Sequence, residues 1–137
     1  MWWPGTGTGW YEGHNSFGAT QTGTQWAMGA GEITAAPKSA ATYVLVANTA
    51  AWDATVAVTV LFDDGTPAVT RTFGVVATSR FNVAVNGPGS HVPELTNEGF
   101  GTVIDSTEPI VVERSVYSNA GDVIWAAGSN ATATRLP

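Results

Sequence analysis

Few residues in this chain could do chemistry, and their spacing argues against most reactions. The two histidines, His14 and His91, both stand in Gly- and Asn-rich stretches. A metal ion would need a further ligand such as Glu12 or Glu94. Neither spacing is a ligand signature, so each reads as a loop histidine hydrogen-bonded to backbone. Asp63 and Asp64 are adjacent carboxylates of the kind that acid–base catalysis employs. They precede Gly65 and Thr66, however, where an Asp serves the geometry of a turn, and they lack the alternating oxygen ligands of a calcium loop. The GTGTG run at residues 5–9 follows Pro4 rather than a strand–helix junction, which makes it a turn and not a phosphate cradle. Lys38 is the single lysine and sits in a Pro-Lys-Ser loop. That setting lacks the buried surroundings an intramolecular isopeptide bond with Asn or Asp would need. No nucleophile–base constellation or dinucleotide fingerprint is present. The expectation is no enzyme, no cofactor, no metal and no catalytic residue.

Aromatic residues are the functional type the chain supplies in quantity. Trp26 and Trp125 fall within predicted strands and read as core. Trp2, Trp3, Trp10 and Tyr11 fall in a short leading hairpin, which is marginal as an isolated ribbon. They need a surface to rest on, either the chain's own domain or a neighbouring copy reached by strand addition or docking. These four are the candidate interface. Trp52 lies on a loop between two strands; it is a candidate for sugar or partner contact, or an anchor on its own domain. Glu113 and Arg114 are consecutive in a strand and so face opposite ways. Arg114 shares a face with Ile110, Val112 and Val116. If that face is core, the guanidinium must be paired or must reach the rim. The alternatives are a structural ion pair involving Glu113 and Arg114, or an edge-strand arginine that guards against aggregation.

The elements that would position these residues are all strands. Residues 55–62 alternate, with Val56, Val58, Val60 and Phe62 on one side and Thr55, Ala57, Thr59 and Leu61 on the other. This is the period of a half-buried strand. Asp63-Asp64-Gly65-Thr66 turns it back into residues 69–73, giving a hairpin at the centre of the chain. Further strands are predicted at 25–33, 42–48, 80–86, 100–105, 110–118 and 123–127. Residues 106–109 join two of them, and 91–99 form a loop with one short helical turn. No stretch carries an apolar stripe at helical spacing. The prediction is an all-β chain, an antiparallel immunoglobulin-like β-sandwich of seven or eight strands with an extra N-terminal aromatic hairpin. A closed barrel is the alternative. Residues 1–22 form the linking segment and 23–137 the sandwich domain.

Composition agrees with this division. With 137 residues there is room for one core, and 12% charged residues against 44% hydrophobic ones point to faces wetted by hydroxyls rather than ions. Five basic residues against eleven acidic ones give a net charge of −6, which disfavours nucleic acid as a partner. No apolar run is long enough for a membrane span. The absence of cysteine removes disulfides and thiolate zinc sites. Met1-Trp2-Trp3-Pro4 lacks the basic and apolar regions of a signal peptide, so a cytosolic protein or a piece of a longer one is expected. The aromatic stretch 1–16 is echoed by 116–130, a spacing that suggests a terminal hairpin used twice.

The segments WYEGHNSFGATQTGTQWAMGAGE, TYVLVANT, VAVTVLFDDGTPAVTRTF, SRFNVAVN and PIVVERSVY together resemble tandem immunoglobulin-like repeats of large secreted or surface-attached bacterial proteins. WYEGHNS and PIVVERSVY carry most of that resemblance, which covers most of residues 10–118; the stretch 125–137 departs from the pattern. The resemblance implies a repeat module on a bacterial cell surface or outside the cell, and a scaffold role without catalytic residues. The expected function is therefore a structural building block of an extracellular assembly, coupled head-to-tail into a filament or homo-oligomer through its N-terminal aromatic segment. Its partners would be other copies or neighbouring repeats. A carbohydrate-binding module that uses exposed tryptophans on a polysaccharide is the alternative. Asn130-Ala131-Thr132 is a possible glycan acceptor.

Overall fold

A computed structural model describes residues 2–3, 12–35, 39–85, 90–120 and 123–137, with Trp2, Trp3, Glu12, Ala120 and Trp125 described in their backbone alone. The strands run in the order β1 (Trp2–Trp3), β2 (Glu12–Gly13), β3 (Gly23–Glu32), β4 (Ala41–Asn48), β5 (Ala54–Phe62), β6 (Val69–Val75), β7 (Ser79–Ala84), β8 (Gly99–Ala120), β9 (Val123–Thr132) and β10 (Thr134–Arg135). Every pairing is antiparallel, and among the described residues there is no helix. Eight strands join in one sheet network and β1–β2 form a separate ribbon. The all-β expectation and its strand number hold.

One strand organises the network. β8 is 22 residues long, and its two halves belong to different layers. Its first half lies between β3 and β5, pairing Trp26 with Ile104 and Val58 with Ile104 from opposite sides. Its second half lies between β4 and β9, pairing Val44 and Ala131 with Arg114. β6 extends the first layer beyond β5, and β7 extends the second beyond β4. The chain after β9 crosses over at buried Ala133, and β10 then lies against β3. Two neighbouring strands therefore change layers together, as at the corner of a sandwich. An immunoglobulin fold keeps its two sheets on separate strands; here β8 serves both.

The turn expected at 106–109 is instead the bend of this strand. Side chains replace the missing ladder there: Thr107 Oγ1 accepts the Thr55 N–H at 2.9 Å, and Ser106 Oγ accepts from Glu108 N–H at 3.3 Å. Pro109 follows at a point where no N–H is needed.

The core is the set that alternation picks out. Val44, Val46, Val56, Val58, Val60, Val83, Val85, Ile104, Ile110 and Val112 are buried between the layers. Each such side chain contributes about 1.5–3 kcal/mol relative to exposure. The loop at 91–98 contains turns and bends but no helical turn; it drops Val92 and Leu95 into the core, with Leu95 N–H bonded to Val92 O at 3.2 Å. Beside it, Phe73, Phe81 and His91 meet at centroid distances of 5.2–5.4 Å. His91 Nδ1 accepts from Ala84 N–H at 3.0 Å, so it serves as the backbone-bonded loop histidine expected.

The central hairpin turns as its residues require. Gly65 has φ +83°, a conformation that costs other residues dearly. Asp64 Oδ1 accepts the Thr66 N–H at 2.8 Å, and that bond holds its carboxyl below the ordinary value. Asp63 and Asp64 thus stand in the turn of this hairpin.

Gly31 faces Phe100 across β3 and β8, and a Cβ there would stand 2.4–2.7 Å from the buried Phe100 ring. Gly31→Ala is expected to cost about 1–3 kcal/mol through overpacking. Guanidinium unfolding would show it as a lowered midpoint at unchanged slope. Phe100→Leu in the same chain should restore part of the loss.

Candidate functional site

The best-built exposed feature lies where β4 and β6 end. Asn48 closes β4 with its side chain buried. Its amide nitrogen donates to Trp52 O at 2.8 Å, Val75 O at 3.0 Å and Val76 O at 3.3 Å, while its Oδ1 accepts from Ala50 N–H at 3.0 Å. One side chain thus ties the 49–53 loop to the end of β6. Asp53 Oδ1 accepts from Ala77 N–H at 2.8 Å, and Ala50 O accepts from Thr78 N–H at 3.1 Å. Thr78 itself sits at φ +50°.

The outcome is a rigid apex that carries two large apolar groups into water. Trp52 is 73% exposed and Val76 64% exposed. The structure does not use Trp52 as an anchor on its own domain. An exposed indole on a tethered loop is the kind of group that dominates docking interfaces. Asn48 is the functional residue that sequence reasoning missed, because an Asn before Thr-Ala-Ala-Trp reads as an ordinary turn former.

The N-terminal region runs over the outer face of the second layer. Trp2 pairs with Gly13 and Trp3 with Glu12 in the backbone. Trp10 and Tyr11 lie outside the described residues, as does Lys38. From there His14 packs on Tyr117, with ring centroids 5.6 Å apart. Ser16 Oγ accepts from Asn130 Nδ2 at 2.7 Å, and Phe17 O accepts from Thr132 Oγ1 at 2.7 Å. This segment rests on β9 of its own chain, and it leaves Phe17 96% exposed.

Glu113 and Arg114 do not pair with each other. Alternation sends Glu113 to the outer face, while Arg114 lies on the core side beside Val44. Arg114 reaches the rim instead, and its Nη1 donates to Ala30 O. The ion pair recorded among the described residues is Arg71 with Glu94. It is half-exposed and worth about 0–1 kcal/mol. No group of His, Asp and Glu among the described residues is arranged to hold a metal. No described helix could cross a membrane.

No family model matches the sequence, and no curated protein matches it. Solved structures do match. A Thermotoga maritima protein, 1070, aligns with a TM-score of 0.67 at 15% identity, covering 84% of this chain and 96% of that one. The Anabaena sensory rhodopsin transducer aligns with a TM-score of 0.54 at 28% identity, covering 71% of this chain and 97% of that one. The first likeness supports the all-β sandwich-like architecture.

Replacing Asn48 with Ala should release the apex without opening the core. The expected cost is about 1–3 kcal/mol from unpaired buried groups. Hydrogen exchange would show faster exchange of the Ala50, Ala77 and Thr78 amides, with Val58 and Ile104 amides unchanged relative to global stability.

Proposed function

We propose that this protein is a non-catalytic coupling module, a building block that docks on further copies or on a neighbouring protein through aromatic side chains. The observation that carries this reading is Trp52, 73% exposed on an apex locked by Asn48. An exposed indole on a backbone already tied down spares a partner the cost of ordering that loop. The N-terminal aromatic segment offers a second, different surface. Phe17 is exposed there on a backbone bonded to Thr132. Two unlike patches on one chain fit head-to-tail contact, which is heterologous and propagates unless it closes. The likeness to a protein named as a sensory rhodopsin transducer agrees with a role in contact rather than turnover.

Light scattering over a concentration series tests the reading. Wild type should gain mass with concentration, and Trp52→Ala and Phe17→Ser should each weaken association by about tenfold or more, the scale of a hot-spot residue. Neither substitution should lower the melting temperature. A wild-type protein that stays monomeric at all concentrations defeats the self-coupling form of the proposal.

A second reading, a carbohydrate-binding module, rests on the same exposed indole, since an aromatic face stacks on a pyranose. It predicts a change in tryptophan fluorescence with one or more polysaccharides that Trp52→Ala removes. Unchanged fluorescence across the panel rejects it.

A further inference from the structure

The two flanks of the sandwich are closed differently. Between β6 and β7 the gap is filled by Phe73, Phe81 and His91, and the Arg71–Glu94 pair stands outside them. Between β3 and β9 the gap stays open. β10 pairs with β3 only at Trp26 and Ala27, so among the described residues the rest of β3 has no strand on that side. β3 also slips register against β8 between Met28 and Gly31. The mouth left between the layers has two adjoining stretches of about 240 and 490 Å³ that share Ala30 and Arg114.

Arg114 is the unusual group in this mouth. It springs from the core face of β8, level with Val44, and only part of it reaches water. Its Nε is buried without a hydrogen-bond partner, its Nη1 is spent on the neutral Ala30 carbonyl, and among the described residues no carboxylate pairs with it. A part-buried cation without a counter-charge is costly, and natural structures usually supply one. Here the open side of the guanidinium is a groove of ligand size.

We propose that this mouth is a binding site for a small monocarboxylate, with Arg114 as the partner of its carboxylate group. A planar guanidinium matches a carboxylate in shape and charge. The same groove includes Glu32 and Asp63. Two acids beside a single cation, on a chain of net charge −6, repel a dianion such as phosphate. Asp63 suits a ligand whose far end carries a donor, an ammonium or a hydroxyl. The site is separate from the Trp52 apex, so its fate is independent of the coupling function.

Titration calorimetry on the full chain at fixed ionic strength tests this, with butyrate, γ-hydroxybutyrate, γ-aminobutyrate, butyramide and inorganic phosphate as probes. The carboxylates should bind, butyramide at least tenfold more weakly, and the two donor-bearing carboxylates more tightly than butyrate. Ala131→Leu, which keeps Arg114 and fills the groove from β9, should abolish binding. Arg114→Met should abolish it too, while leaving the ligand-free melting temperature equal or higher, because it removes a part-buried charge that no carboxylate pairs with directly. A purely structural Arg114 predicts the opposite, a lower melting temperature. The proposal is overturned if butyramide binds as well as butyrate, if Ala131→Leu still binds, if phosphate binds more tightly than butyrate, if the far-end donors add nothing, or if no carboxylate binds at millimolar concentration.

Discussion

The constraint on which this architecture depends is that β8 must satisfy two layers at once. Its first half must turn Phe100, Thr102 and Ile104 to the interior, and its second half Ile110 and Val112. Period-2 alternation delivers both sets only if the strand stays extended through 106–109 while changing direction. Thr107 and Ser106 make that possible by lending hydroxyl acceptors to the Thr55 and Glu108 N–H groups where the backbone ladder stops. Every other strand of the network takes its place from β8: β3 and β5 flank one half, β4 and β9 the other. The edges that remain, β6 with β7 and β10 with β9, then define the two flanks.

Much of this was readable in residues 42–48, 55–62 and 80–85, because valines at alternate positions have one physical solution, a strand with one buried face. The reading failed where side chains substitute for backbone. Ser-Thr-Glu-Pro at 106–109 has the composition of a turn, and only its neighbours in space turn it into a bend within a strand. Val92 and Leu95 failed differently. They lie in a loop without periodicity, and their burial comes from the gap between β6 and β7 that the loop happens to cross.

The candidate sites show the same division. Alternation placed Arg114 on the core face, and the structure keeps it there; what sequence could not supply is that β9 departs from the flank at Ala133 and leaves that part of the core open. Trp52 was visible as a loop tryptophan, but its exposure depends on Asn48, whose four contacts reach as far as Val75 and Val76 across the fold. A polar residue that is buried because it organises loops has no periodic signature. It is found only when the acceptors around it are known.

These features share a cause in the chain's composition. With 12% of residues charged, threonine hydroxyls finish part of the surface, such as the Thr59–Thr70 pair at 2.9 Å across β5 and β6. Neutral cross-strand pairs of this kind carry no electrostatic repulsion between copies and no strong attraction either. The contacts proposed above draw on three described places where the chain departs from small and neutral: an indole on a tethered apex, a phenylalanine on a docked arm, and an arginine in an open mouth. The first two are apolar groups in water and gain by being covered. The third is a cation drawn partly out of water, and it gains by being neutralised. For the contacts proposed, a fold this economical in charge leaves recognition to such positions among the described residues.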